Sequence, residues 1–146
     1  MDRSFELFMG RTGNAYSQEA ARRRVNWMCA QAKGRVLDVG CSQGIASWLL
    51  GHRGLRVTGI DADGDAIAWA RENLKNAAPE ARDNIDFIHA DFLDYAPAES
   101  FDTILAGEYL EHLTDELLDR HLAHMARLLT PGGNVVVTVP LGLHPH

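Results

Sequence analysis

The chain has 146 residues, 46% hydrophobic and 23% charged, the balance of one folded domain rather than of a disordered segment. Its longest apolar stretches, such as Val135–Val139 with Thr138 inside it, fall far short of the roughly 18 residues that a membrane span requires. Net charge is −6, with seven Lys/Arg against three Asp/Glu in residues 1–35 and seven against seventeen beyond, which argues against a broad basic face that coats nucleic acid. Met1–Gly10 carries Asp2, Arg3 and Glu6 where a secretory signal needs an apolar core. Cys29 and Cys41 are too few for a disulfide framework or a cysteine-only zinc site, so a reducing cytoplasm is the expected setting.

In chain order, the pattern predicts a helix over Tyr16–Gln31, whose Arg22, Arg23 and Arg24 read as a solvated face or as a phosphate-contacting patch. A strand at Arg35–Val39 leads into a helix over Gln43–His52, and a strand at Leu55–Ile60 into a helix from about Asp63 to Asn76. Further strands follow at Asn84–His89 and Phe101–Ala106. A helix over Thr114–Leu129 starts at a Thr114 cap with Asp115 and Glu116 in its first turn. Its Leu118, Leu122, Met125 and Leu129 fall at helical spacing and are expected to face the sheet. The last strand, Asn134–Val139, is entered through Pro131, Gly132 and Gly133. Val/Ile/Leu-rich strands separated by helices predict an α/β fold, a parallel sheet covered on both faces.

The first strand runs straight into Asp38, Gly40 and a turn that closes at Gly44. Glycine at a strand-to-helix turn allows unusual dihedrals and close approach of a ligand to the main chain. The second strand ends at Asp61, twenty-one residues after Gly40. A carboxylate there can accept hydrogen bonds from both hydroxyls of a ribose. A nicotinamide dinucleotide is disfavoured, because the remaining glycines of Gly-x-Gly-x-x-Gly would fall on Ser42 and Ile45.

The segment VLDVGCSQG at 36–44 resembles the first motif of class I S-adenosylmethionine-dependent methyltransferases. The likeness continues through VTGID at 57–61, FIHADF at 87–92, FDTILAG at 101–107 and LTPGG at 129–133, in the family's order and spacing. It implies a Rossmann-like parallel sheet of order 3-2-1-4-5, with residues 1–34 as a helical cap and 35–146 as the S-adenosylmethionine-binding core. It also implies a cofactor site made by Asp38, Gly40, Cys41, Ser42 and Gly44 near the methionine part, Asp61 at the ribose with Ala62 next to it in the chain, Asp91 and the Phe92 backbone at the adenine, and Gly107 after the fourth strand. Tyr16 resembles an N-terminal tyrosine that closes over the cofactor in related enzymes, with simple packing as the other reading. Members of the family usually end with two more strands, which this sequence lacks. The fifth strand is therefore an expected edge, to be covered by another chain or a further C-terminal region.

Glu108, Glu111 and His112 would share one face if locally helical, giving two carboxylates and an imidazole. They suit a divalent metal (Mg²⁺, Mn²⁺ or Zn²⁺), metal-free acid/base catalysis or a purely structural turn. The pattern is similar to one in ubiquinone-type and small-RNA O-methyltransferases, where such residues bind metal. His144 and His146 are candidate late ligands or a mobile terminus, and His121 and His124 are expected at the surface. Cys41 is expected to be a small packing residue, and Trp27, Trp48 and Trp69 core side chains. The expected function is S-adenosylmethionine-dependent O-methylation of a small-molecule acceptor. The alternatives are a catalytically inactive S-adenosylmethionine-binding sensor or partner module, and an RNA 2′-O-methyltransferase.

Overall fold

The computed structural model describes residues 3–140, so His144 and His146 lie outside the described residues. Two helices come first, α1 (Ser4–Phe8) and α2 (Ala15–Ala30). The Asn14 side chain accepts from Ser17 N at 2.8 Å, and the Asn14 N–H donates to Ser17 Oγ at 3.0 Å, so reciprocal bonds start α2 one residue before its predicted position. The alternation that follows is β1 (Val36–Val39), α3 (Ile45–His52), β2 (Val57–Asp61), α4 (Gly64–Leu74), α5 (Pro79–Arg82), β3 (Ile85–His89), β4 (Phe101–Gly107), α6 (Asp115–Leu128) and β5 (Leu129–Thr138). The sheet has the order β3-β2-β1-β4-β5, and every pairing is parallel, as predicted.

Side chains of neighbouring strand residues enter opposite cores, as the two-residue repeat of a strand requires. Val36 and Leu105 join Phe5, Val25, Met28, Ile45 and Leu50 from α1, α2 and α3. Leu37, Val39, Ile104 and Ala106 join Met125 and Leu128 from α6. A third cluster binds α4 to β3 through Ile67, Ala70, Ile85 and Phe87. Among the described residues no helix is long and apolar enough to cross a membrane. β5 forms one edge of the sheet, with Val137 and Val139 exposed.

Four local expectations are overturned. The buried stripe of α6 is His121, His124, Met125 and Leu128, and Leu122 is exposed. His121 and His124 are inside because each imidazole is satisfied there. His124 Nε2 lies 2.7 Å from the Tyr95 carbonyl oxygen, and His121 Nδ1 lies 2.7 Å from that of Leu117. Trp27 is exposed because the inner stripe of α2 runs through Ala21, Val25, Met28 and Cys29, whereas Trp48 and Trp69 pack edge-on against Phe5. The arginine run is not one solvated face. Arg23 pairs with Glu19 outside, but Arg22 Nε donates to the Phe8 carbonyl and Arg24 turns inward to Ser4.

Asp102 fastens the start of β1 to the β4–β5 pair. Its Oδ2 accepts from Arg35 N at 2.8 Å and its Oδ1 from Thr130 Oγ1 at 3.0 Å. These hydrogen bonds, the Arg35 N–H first, hold its carboxyl below the usual range. A carboxyl with a lower pKa in the folded state contributes stability fully above its unfolded pKa of about 3.9 and loses it as pH falls through the folded value. Asp102→Asn is therefore expected to flatten the acid limb of a melting-temperature profile. Superimposable acid limbs for the two proteins would show that Asp102 carries none of that dependence.

Candidate active site

The strand order reverses between β1 and β4, and a crevice opens there at the carboxyl ends of the strands. Its floor is the turn after β1, which needs departures from ordinary backbone at three alternate residues: φ is +68° at Gly40, +51° at Ser42 and +84° at Gly44. A Cβ on Gly40 would lie 2.4 Å from the Tyr109 ring, and one on Gly44 2.5 Å from the Phe87 ring. Both positions therefore need glycine for space as well as for dihedral freedom. Beneath the turn Asp38 is buried and accepts from Ser47 Oγ at 2.8 Å. Cys41 is also buried. Burial, with Asp38 and Asp61 nearby, raises its thiol well above the usual range, so it is a packed neutral side chain rather than a nucleophile.

Asp61 ends β2 beside this turn. Its Oδ2 accepts from Ser42 N and its Oδ1 from Asp63 N, each at 2.8 Å. A carboxylate has about four lone-pair sites, so these two bonds fix its plane and leave acceptor capacity on both oxygens. The carboxylate borders a cavity of about 580 Å³ with Ser4, Arg24, Gly40, Ser42, Gly107, Glu108 and His112. On its other side lies a cavity of about 180 Å³ bordered by Ala62, Asp91, Phe92 and Leu113. Asp91 caps the 3-10 turn that begins at Phe92, accepting from Leu93 N at 2.9 Å. A nucleoside with a polar tail fits this arrangement: a ribose acceptor in the middle, the Gly40–Gly44 backbone on one side and the Asp91–Phe92 corner on the other. Asp38, Gly40, Cys41, Ser42, Gly44, Asp61, Ala62, Asp91, Phe92 and Gly107 all lie on this crevice.

Tyr16 does not. It is 85% exposed on the first turn of α2, and the crevice is closed on that side by Ser4, Leu7 and Arg24 instead. Arg24 Nη2 donates to Ser4 Oγ at 2.8 Å and Arg24 Nη1 lies 3.5 Å from Glu108 Oε1. The basic run singled out Arg24 without showing which way it turned; Ser4 carries no signal in the sequence.

Glu108, Glu111 and His112 do not share a helical face. Glu108 has φ +54°, so no α-helix continues from it, and only Leu110–His112 form a 3-10 turn. Left-handed backbone costs a non-glycine residue roughly 1–2 kcal/mol. Here it is held by Glu108 N–H donation to the Thr138 carbonyl at 2.8 Å and by Arg24. Glu111 Oε1 instead lies 3.4 Å from Nε2 of the exposed His112. No group of three or more His, Cys, Asp or Glu able to hold a metal occurs among the described residues. A guanidinium on Glu108 further opposes a cation there, so this donor set does not fit a divalent metal. Tyr109, between these residues, carries no signal in the sequence that marks it as functional. Its hydroxyl lies 2.8 Å from His121 Nε2, and burial, with Asp91 and Asp61 nearby, pushes its pKa up to about 12.

Residues 36–133 match the family described as a methyltransferase domain, which is well over half of the chain. The chain belongs to that family. It is 36% identical over 104 residues to the methyltransferase GfsG of Streptomyces halstedii, covering 70% of this chain and 36% of that protein. It is 34% identical over 119 residues to the ubiquinone biosynthesis O-methyltransferase of Erwinia tasmaniensis, covering 77% of this chain and 46% of the relative. The chain thus spans less than half the length of these two curated relatives. Among solved structures, the cyclase SpnF superposes with a TM-score of 0.74 at 27% identity, over 88% of this chain and 48% of the other.

Proposed function

We propose that this chain is the cofactor-binding part of an S-adenosylmethionine-dependent methyltransferase that methylates an oxygen of a small-molecule acceptor. The observation that carries the reading is Asp61. Its carboxylate is locked by two backbone N–H groups and keeps spare lone pairs between two cavities, where a ribose diol would be read. The Gly40–Gly44 backbone approaches the ligand closely on one side, and Asp91 with the Phe92 main chain offers an acceptor and a donor for an adenine edge on the other. Arg24, at the wall of the larger cavity, supplies a cation suited to a carboxylate tail.

When bound, S-adenosylmethionine supplies a methyl carbon made electrophilic by its sulfonium. The chain's share of the work is alignment and proton handling. His112 borders the larger cavity with Glu111 beside its ring, which supports a role for this imidazole–carboxylate pair in taking the proton from an acceptor hydroxyl. Glu108 serves instead to hold Arg24 in place. The O-methyltransferase relative supports an oxygen acceptor. The free, buried thiols of Cys29 and Cys41 fit the reducing cytoplasm. A second reading, a domain that binds the cofactor without transferring methyl groups, is supported by the likeness to SpnF, which is named for cyclisation rather than methyl transfer.

Calorimetry on the folded full chain is expected to show binding of S-adenosylmethionine and S-adenosylhomocysteine and none of NAD. Labelled-methyl transfer to a panel of small phenols and hydroxy acids separates the two readings. Failure to bind either sulfur nucleoside overturns both.

A further inference from the structure

The two cavities beside Asp61 share three wall residues, Gly40, Asp61 and Tyr109. Gly40 and Asp61 belong to the strand ends beneath both cavities, which makes the Tyr109 side chain the partition between them. Its ring lies directly on Gly40: a Cβ built there would meet three ring carbons, Cδ2 at 2.4 Å, Cγ at 3.0 Å and Cε2 at 3.1 Å. Gly40 borders both cavities, so on the cofactor reading a ligand that reaches from the Gly40–Gly44 turn to the Asp91 corner would pass over it.

The ring is also fastened. His121 Nδ1 lies 2.7 Å from the Leu117 carbonyl oxygen, which needs a proton on Nδ1 and leaves Nε2 as an acceptor for the Tyr109 hydroxyl at 2.8 Å. His121 is itself buried, with its ring tilted against that of Phe92 at 5.4 Å between centroids, so it is a fixed post rather than a mobile partner. On the other side, Tyr109 follows the left-handed Glu108 and precedes a single 3-10 turn, where no α-helix restricts its rotamer.

We propose that Tyr109 is a latched gate of the cofactor crevice, closed in this structure by its hydrogen bond to His121 and opened by rotation of the ring off Gly40. The inference rests on the cofactor reading above and adds a conformational step to it. Only the open form joins the two cavities, so the apparent dissociation constant exceeds the intrinsic one by the inverse of the open fraction.

Tyr109→Phe keeps the ring and its packing but removes the latch. With a net hydrogen bond of ordinary strength at stake, it is expected to bind S-adenosylhomocysteine roughly 2- to 10-fold more tightly, with the gain in the association rate. Tyr109→Leu removes the ring and is expected to associate faster than the wild type as well. Stopped-flow tryptophan fluorescence and calorimetry on the full chain read both quantities, with thermal melts to confirm folding. A merely structural tyrosine would lower the melting temperature without accelerating association. Binding in all three proteins with an equal or slower rate in Tyr109→Phe overturns the gate alone. No binding in any of the three overturns the cofactor reading and the gate with it.

Discussion

Asp61→Ala is expected to weaken S-adenosylhomocysteine binding by about 10- to 100-fold, the loss that follows when hydrogen bonds to a charged acceptor are removed. Two effects act in the same direction. The ribose hydroxyls lose their acceptor, and Ser42 N and Asp63 N lose the oxygens that order the turn, each now 2.8 Å away. Asp61→Asn separates them, because a carboxamide keeps one acceptor oxygen and turns the other position into a donor. An intermediate loss is expected for it, measured by calorimetry at one pH and salt concentration. Wild-type affinity in a folded Asp61→Ala protein would place the ribose elsewhere in the crevice.

That prediction could be framed from sequence because the relevant elements are the most legible ones. Strands β1, β2 and β4 are short Val/Ile/Leu runs with both faces buried, and the phase between Gly40 and Asp61 survives small errors in strand ends. Asp61 is the last residue of β2, where the sequence puts the end of that strand. Legibility failed where a polar side chain finds its partner only in three dimensions. His121 and His124 look like surface residues until the carbonyls of Leu117 and Tyr95 are within reach. Once they are inside, the apolar stripe of α6 rotates and Leu122 is left exposed.

The same limit explains the segment from Glu108 to His112. Helical spacing is a fair expectation for five residues, but it presumes a right-handed start. Thr138 on the neighbouring strand and Arg24 on α2 hold Glu108 at φ +54°. Neither contact is written in the local sequence, and together they separate the carboxylate of Glu108 from the Glu111–His112 pair. The crevice therefore has an imidazole beside a carboxylate at its rim and an ion pair at its wall, instead of three donors on one face.

The largest stability loss is expected at Phe87, a residue of β3 that touches no proposed ligand. Its ring fills the space left by two glycines: a Cβ on Gly44 would lie 2.5 Å from it, and one on Gly59 2.8 Å. The side chain is 5% exposed, within the cluster that joins α4 to β3. Phe87→Ala should cost about 3–5 kcal/mol through lost burial and the residual cavity. For a domain of this size that is a fall of roughly 6–20 °C in melting temperature. The cofactor turn ends at Gly44 against this ring, so binding should weaken too, although Asp61 and Gly40 are untouched. A double-mutant cycle with Gly44→Ala tests the contact directly. In the wild-type background the new methyl meets both the ring and a left-handed φ of +84°, whereas in the Phe87→Ala background only the backbone cost of roughly 1–2 kcal/mol remains. Gly44→Ala is therefore expected to be clearly less damaging once Phe87 is gone. Additive losses in thermal melts of the four proteins would mean that the ring does not shape the turn.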